Sequence, residues 1–430
     1  MWSRRDLLKN SLLALLLSQL GPGRARARLP TSRKRPRYYV AIVLGGGMDA
    51  TYTTDPKVRA EVDPDIDLAY PPQKIIESGD VRFGPLMKDL TRWAPRMAVV
   101  NGVRVKTANH ETGFRQIVRF RTGVSPAMPG LFEIIGEQRD SQPLACLSLG
   151  NLGEEVYSPN QWFGIEMPTA ATSPQEREKD LFDLLDDATP QEFGMLAEVY
   201  RGHAGRLRRH SDTRAGRATV ANIDQCASLF ARLEKTPRFK EEKWSDDART
   251  QANARCLQRT LWMLENDLTA SVFFMASSAG SSSWDTHQHN LRRQTEQASC
   301  LFGVLQRFLT ALSERSNAHG NLLKNTLIVA GSELGRFPKL NDTQGKDHFP
   351  EAPYFLIGSG VNTGSKGAMY GRTGRQMQAL PVDLRTGQAA SGATDFLTLD
   401  DLGATLLYSA GLEPATHDYT GRILDFLWSA

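Results

Sequence analysis

The chain has 430 residues, of which 40% are apolar and 23% are charged, an ordinary globular composition with enough chain for a large core. Residues 1–27 hold five of the basic residues and one acid, so the remainder carries 47 basic and 47 acidic residues and no formal net charge. That balance excludes the extended basic surface of a nucleic-acid-binding protein, and we expect no nucleic-acid partner.

The amino terminus has the pattern of an export signal. Residues 3–9 read S-R-R-D-L-L-K, a short leucine-rich stretch runs from Leu12 to Leu20, and Ala25-Arg26-Ala27 matches a small-residue cleavage site. We therefore predict a twin-arginine signal peptide at 1–27 and a basic linker at 28–37, with the twin-arginine export machinery as partner and a periplasmic or extracellular location. The apolar core is too short to span a bilayer, so no stable membrane span is expected in the mature protein.

Strand-like and helix-like segments alternate along the rest of the chain. This order predicts an α/β fold for residues 38–430, with a mostly parallel, doubly wound sheet. Between about 159 and 267 charged residues increase and apolar residues recur at helical spacing, which predicts a helical insertion. The predicted strands are Tyr38–Leu44, Arg96–Val100, Leu144–Leu149, Ala270–Met275 and Thr326–Ala330.

Three glycines follow the first predicted strand and lead to Asp49. Two interpretations are open at this point: a glycine loop that cradles a phosphate, or a sharp turn that presents Asp49 to a metal ion. The spacing is not G-x-G-x-x-G, so a dinucleotide site is not expected.

Acids and histidines follow several of the predicted strands. Because parallel strands of one sheet end at one edge, these side chains can converge although they are far apart in sequence. Carboxylates and imidazoles together suit a divalent ion such as Zn²⁺ or Mn²⁺, and their number is enough for two ions. The residues are Asp49, Asp285, His287, Glu333, Asp347 and His348.

The order of the motifs resembles the domain-of-unknown-function family 1501, which is similar to the alkaline-phosphatase and sulfatase superfamily. The carboxyl-terminal segments Leu399–Leu407 and Gly421–Leu424 resemble the closing helix and the ending of sulfatases. The resemblance covers most of the chain after the leader. The motifs are Gly-Gly-x-x-Asp at 45–49, Asn109-His110, Thr122-Gly123, Trp284-Asp285-Thr286-His287, Ser332-Glu333-Leu334-Gly335-Arg336, Asp347-His348, Gly358-Ser359-Gly360 and Tyr370-Gly371-Arg372.

The resemblance implies an alkaline-phosphatase-like core and one or two divalent ions, Zn, Mn, Mg or Ca. Glu333 stands where the superfamily has the aspartate of an Asp-His pair, but Leu334 replaces the histidine, which leaves the number of ions, one or two, open. The metal ligands implied by residue-by-residue matching are Asp49, Asp285, His287, Glu333, Asp347 and His348.

The segment His110–Gln116 matches the window that carries the modified cysteine of sulfatases, but it has neither cysteine nor proline. Sulfate-ester cleavage by that route is therefore not expected. Thr112 is either a metal-activated alcohol nucleophile or a cap of a helix predicted from Phe114. His110 is a candidate metal ligand or acid/base, and Arg115 either clamps an anionic group or pairs with an acid.

These features predict an exported metal-dependent hydrolase that acts on a phosphate ester or related anionic ester, with a small-molecule or glycan-type anionic substrate. The alternative is a non-catalytic metal- or glycan-binding envelope protein with a degenerate hydrolase site. Four cysteines without C-x-x-C spacing leave one or two disulfides open.

Overall fold

A computed structural model describes residues 35–124, 128–138, 142–149, 188–209, 214–276 and 283–429. The predicted signal peptide at 1–27 lies outside the described residues, as do residues 28–34 of the predicted linker. Within the predicted insertion at 159–267, residues 159–187 and 210–213 also lie outside. These domain boundaries stay predictions.

A seven-stranded sheet forms the centre of the described structure. Six of its strands run in the same direction, and only β6 is antiparallel to its neighbours. The spatial order is β7-β2-β6-β5-β1-β4-β3. The strands are β1 Tyr38–Leu44, β2 Met97–Arg104, β3 Leu144–Leu149, β4 Thr269–Ala276, β5 Thr326–Gly331, β6 Glu351–Gly358 and β7 Ala368–Tyr370.

Both faces of the sheet are covered, as β1 shows. All seven of its residues are buried, with Val40, Ile42 and Leu44 in one hydrophobic core and Tyr39, Ala41 and Val43 in the other. A strand buried on both faces reads as a continuous apolar run, which is the pattern that predicted it. The mostly parallel, doubly wound α/β fold is confirmed.

Helices supply the two covering layers. Among the described residues they are α1 His110–Arg119, α2 Leu131–Glu137, α3 Pro190–Arg208, α4 Arg214–Leu233, α5 Ala248–Glu265, α6 Asn290–Glu314, α7 Leu322–Asn325 and α8 Leu399–Ser409. Short 3₁₀ segments span Ala50–Tyr52, Arg59–Glu61, Pro72–Lys74, Pro85–Arg96, Pro414–His417 and Asp425–Leu427. Small antiparallel pairs join Ile76–Ser78 to Val81–Phe83, Ser316–Asn317 to Gly320–Asn321, Gly335–Arg336 to His348–Phe349, and Val382–Asp383 to Gln388–Ala389.

The sheet topology brings five separate segments to one edge. The parallel strands β1, β4 and β5 end there, and the chain after each of them carries a candidate residue. The antiparallel strand β6 begins at the same edge, so the residues just before it arrive there too, as does the end of β2, where Arg104 pairs with Glu351. This placement follows from strand direction alone.

All four cysteines lie in the described residues and all are free. The disulfides that the sequence left open are therefore not formed in this structure. Among the described helices, none combines the length and apolar character needed to cross a bilayer.

Asp267, just before β4, connects the segment before that strand to the start of β1. Its carboxylate accepts hydrogen bonds from the Arg37 guanidinium, the Tyr38 hydroxyl and the Gln142 amide. Burial alone would raise the pKa of Asp267, but these hydrogen bonds outweigh it and lower the pKa below its ordinary value. The ionised form is thus the one that stabilises the fold.

Asp267→Asn is expected to lower the free energy of unfolding at pH 7 by about 2 kcal/mol, the scale of hydrogen bonds to a charged group. Because the pKa of Asp267 is lowered in the folded state, its ionised carboxylate stabilises the fold fully above the ordinary carboxyl pKa of about 3.9. This stabilisation is lost as the pH falls through the folded-state pKa. Urea unfolding of wild type and variant at pH 7 and pH 3 checks this. Equal differences at both pH values would contradict it.

Candidate metal centre

Three histidine side chains meet around one carboxylate at this sheet edge. The Nε2 atoms of His110, His287 and His348 lie 3.3, 3.2 and 3.3 Å from Asp285 Oδ1. One ligand atom from each of His110, Asp285 and His348 falls within 4.8 Å of the other two. His287 lies outside that closest group, but its Nε2 is 2.8 Å from His348 Nε2. We call these four residues the His–Asp cluster.

The Nδ1 atom of each imidazole contacts an oxygen atom on the side of the ring away from the cluster. His110 Nδ1 lies 2.8 Å from Glu333 Oε1, and His287 Nδ1 lies 2.9 Å from Asp347 Oδ1. His348 Nδ1 lies 2.6 Å from the Ala108 carbonyl oxygen. A carbonyl or an ionised carboxylate only accepts, so the three Nδ1 atoms carry the protons. In neutral histidines the three Nε2 lone pairs then face the cluster.

Lone pairs turned toward one another repel unless a positive charge lies between them. His287 Nε2 and His348 Nε2, at 2.8 Å, satisfy neither atom without an added proton or a cation. His110 Nε2 is buried and forms no hydrogen bond of ordinary geometry among the described residues, although Asp285 Oδ1 lies 3.3 Å away. An acceptor carboxylate ringed by Nε2 atoms whose Nδ1–H groups are bound from behind is the donor set of a metal-binding histidine site.

The charges around Asp285 favour its ionised form. Burial would raise the pKa of Asp285, but His110 and the Arg336 guanidinium outweigh burial and hold the pKa well below its usual range. Arg336 Nη2 lies 2.6 Å from Asp285 Oδ1, and its side chain is fully buried. Burial likewise opposes the charge on His110, yet Asp285 and Glu333 raise its pKa to about 9. The cluster thus favours a positive charge beside Asp285.

The donor set fits zinc better than the harder ions. The three Nε2 to Oδ1 distances are 3.2 to 3.3 Å, but the Nε2 atoms of His287 and His348 are only 2.8 Å apart and His287 lies outside the closest group, so the four atoms do not form a regular tetrahedron. The preference for zinc therefore follows from the type of ligand atoms. Mg²⁺ and Ca²⁺ prefer oxygen ligands alone, whereas imidazole suits zinc and related transition ions.

Two predicted ligands, Glu333 and Asp347, lie behind the cluster rather than in it. The Glu333 side chain is completely buried, and its Oε1 accepts from both His110 Nδ1 and the Gly46 backbone N–H. Asp347 Oδ1 faces His287 Nδ1 on the open side. Glu333 Oε1 and Asp347 Oδ1 therefore each contact an imidazole Nδ1 atom, and the role of these two carboxylates as metal ligands stays a prediction. Sequence position after a strand does not distinguish the two arrangements.

Asp49 is not brought into the cluster. Its carboxylate is buried and lies 2.8 Å from the ammonium nitrogen of Lys346. Of the described residues, the grouping of candidate ligand atoms contains His110, Asp285 and His348 but not Asp49. Lys346 was not among the residues that sequence reasoning selected, and its only signal was its position directly before Asp347 and His348.

Helix α1 begins four residues earlier than expected, at His110. The Asn109 side chain accepts from the Thr112 backbone N–H and caps the helix, so Thr112 is not the cap. His110 is therefore held in the first turn of a helix rather than in a loop. Thr112 is exposed in the same turn, and Arg115 forms a 2.5 Å pair with Glu111. The catalytic roles of Thr112 and Arg115 stay predictions.

Comparison with known proteins identifies a family. The family model DUF1501, described as a protein of unknown function, matches residues 37–425. No curated protein matches the chain.

Several solved structures resemble this one at low identity. A protein in the alkaline phosphatase superfamily from Vibrio parahaemolyticus has 10% identity and a TM-score of 0.44, covering 97% of this chain and 78% of its own. The lipoteichoic acid synthase LtaP from Listeria monocytogenes has 7% identity and a TM-score of 0.41, covering 90% and 74%. A sulfatase from Pseudoalteromonas sp. has 10% identity and a TM-score of 0.39, covering 92% and 72%. At these scores the function has to be inferred from the residues of this chain.

Proposed function

The chain belongs to the DUF1501 family of proteins of unknown function, and we propose from its own site that it is an exported metal-dependent hydrolase of a phosphate ester or related anionic ester. The observation that carries the proposal is the convergence of three imidazole Nε2 atoms on Asp285 Oδ1. The twin-arginine-like leader supports export to the periplasm or beyond.

We assign His110, Asp285 and His348 as the ligands of one divalent ion. His287 lies outside this closest group, and we propose it as a weaker ligand on the exposed side. A cation bound there would polarise the ester and stabilise negative charge that develops on the transferring group. Zinc is the ion that this mixture of imidazole and carboxylate favours.

Neighbouring residues orient the proposed histidine ligands and keep Asp285 ionised. Glu333 and Asp347 fix the ring positions of His110 and His287, because each accepts from an Nδ1–H. Arg336 keeps Asp285 ionised. The His287 side chain is 42% exposed, compared with 20% for His348, so a substrate would approach on the His287 side.

Helix α1 supports an anionic substrate. Arg115 lies on the same helix as His110, is partly exposed, and is paired with the exposed Glu111 at a distance of 2.5 Å. A phosphate group could replace the Glu111 carboxylate as the partner of this guanidinium. Thr112, in the first turn of that helix, is the alcohol nearest in sequence to His110 and remains the proposed nucleophile.

Metal analysis followed by an ester panel tests the proposal. Purified protein is expected to contain zinc and to hydrolyse a phosphate ester in a chelator-sensitive way, and Asp285→Asn is expected to lower turnover about a hundredfold or more, on the scale of losing a charge-stabilising group. The matched control is Asp342→Asn, which removes an exposed acid from the neighbouring loop. Metal-free protein, or equal turnover by Asp285→Asn and wild type, would overturn the hydrolase proposal.

A further inference from the structure

Protein donors already satisfy the carboxylate of Asp49. Oδ1 accepts from the Thr51 backbone N–H at 3.0 Å and from the Thr51 hydroxyl at 2.7 Å. Oδ2 accepts from the Asn290 amide at 2.7 Å and faces the Lys346 ammonium at 2.8 Å. A carboxylate has about four lone-pair sites, so these four contacts leave none for a metal ion.

The Lys346 ammonium occupies a pocket lined by oxygen atoms. Its Nζ lies 2.8 Å from Asp49 Oδ2, 3.2 Å from the Thr51 hydroxyl and 3.5 Å from Asp67 Oδ2. The ring centroid of Tyr52 lies 4.5 Å away on another side, in a cation–π contact. The Lys346 side chain has no exposed surface, which is rare for lysine unless its charge is matched.

We propose that Lys346 is an internal cation that replaces a second metal ion at Asp49. The carboxylate and hydroxyl oxygens and the aromatic ring around Lys346 Nζ would also attract a small hard metal ion. In this chain the lysine ammonium supplies that positive charge. A divalent ion placed at Asp49 would meet the ammonium at short range and be repelled. The chain therefore binds one divalent ion, at the His–Asp cluster.

Lys346 also positions the residues of that cluster. Its backbone N–H donates to the Thr286 carbonyl at 3.0 Å, and its carbonyl accepts from Arg336 Nη1 at 2.9 Å. Thr286 lies between Asp285 and His287 in sequence, and Lys346 immediately precedes Asp347 and His348. The ammonium thus connects two of the three segments that carry the cluster to Asp49, in the turn after β1. This part of the inference rests on the proposed metal centre.

A double-variant cycle tests the ion pair without any metal. The melting temperatures of Lys346→Met, Asp49→Asn and the double variant are measured in chelator. Lys346→Met should melt several degrees below wild type, because it leaves a buried carboxylate without its counter-charge. The double variant should melt above Lys346→Met, even if Lys346→Met alone does not fold. A double variant no more stable than Lys346→Met, or shifts that simply add, would overturn the pairing.

Metal counting tests the stoichiometry. Wild type and Asp49→Asn are both expected to bind one zinc ion per chain, and Lys346→Met is expected to bind that ion 10- to 100-fold more weakly, in the range of losing an outer positioning group. Two ions in wild type, or loss of an ion in Asp49→Asn, would overturn the inference while leaving the His–Asp cluster intact. No ion in wild type would overturn the proposed function and the one-ion stoichiometry together, whereas the melting cycle would still decide the pairing.

Discussion

Replacing His110 or His348 by alanine is expected to lower zinc affinity by about a hundredfold or more. Zinc sites with four ligands have apparent binding free energies of roughly 10–16 kcal/mol, or about 3 kcal/mol for each ligand. His110 and His348 each place an Nε2 atom 3.3 Å from Asp285 Oδ1. Competition titration with a fluorescent zinc chelator measures the loss directly.

The matched control for this experiment is His203→Ala. His203 is exposed on α3, and its substitution should leave the affinity unchanged. His287→Ala is expected to fall between the control and the other two variants, because His287 lies outside the closest group of ligand atoms. Equal affinity in His348→Ala and His203→Ala would show that the cluster does not bind the ion.

The position of the cluster could be predicted from the sequence because it depends on strand direction. The apolar runs of β1, β4 and β5 are continuous, and each is followed by a polar residue at the shared edge. Parallel strands must end together, so Asp285 and His287 after β4 are expected close to Glu333 after β5. His348 reaches the same edge for another reason, because it precedes the antiparallel strand β6. The mostly parallel sheet follows from the apolar runs, whereas the family is indicated by the order of the motifs.

The partner of each carboxylate could not be predicted from the sequence. Asp49, Glu333 and Asp347 are acids at the expected edge, but their partners are decided by distances of a few ångströms between segments remote in sequence. Glu333 faces an imidazole Nδ1–H, and Asp49 faces the ammonium of Lys346. Only the packed structure shows which carboxylate oxygen meets a proton donor.

The start of α1 is set by its cap and not by apolar spacing. Apolar spacing predicts a helix from Phe114, whereas Asn109 followed by Glu111 in the first turn is an amino-terminal signature. His110 therefore projects from a helix whose start is fixed by the Asn109 cap, and Glu333 contacts its ring. The capping signal at Asn109 predicts that His110 lies on the helix.

Gly46→Ala is expected to be strongly destabilising. Gly46 has φ +117°, and a Cβ atom there would lie 2.2 Å from the Asp285 backbone nitrogen and 2.7 Å from the Trp284 carbonyl carbon. Backbone strain of about 1–3 kcal/mol and overpacking of about 1–3 kcal/mol together give a loss of roughly 2–6 kcal/mol in the free energy of unfolding. Relief of the clash requires the turn after β1 or the Trp284–Asp285 backbone to shift, and we expect zinc affinity to fall as well.

Gly392→Ala separates the clash from the backbone strain. Gly392 has φ +80°, but a Cβ atom there would have no heavy atom within 4 Å. This variant should show only the strain cost of about 1 kcal/mol or somewhat more, and it should keep full zinc binding. Urea unfolding and zinc titration of both variants distinguish the two effects. If Gly46→Ala bound zinc as tightly as Gly392→Ala, the close approach of β1 to Asp285 would not be what holds that carboxylate in the cluster. If Gly46→Ala instead weakens zinc binding, the glycine is needed because it lets the backbone after β1 approach the backbone of Asp285. A phosphate-cradling loop would not require that close approach.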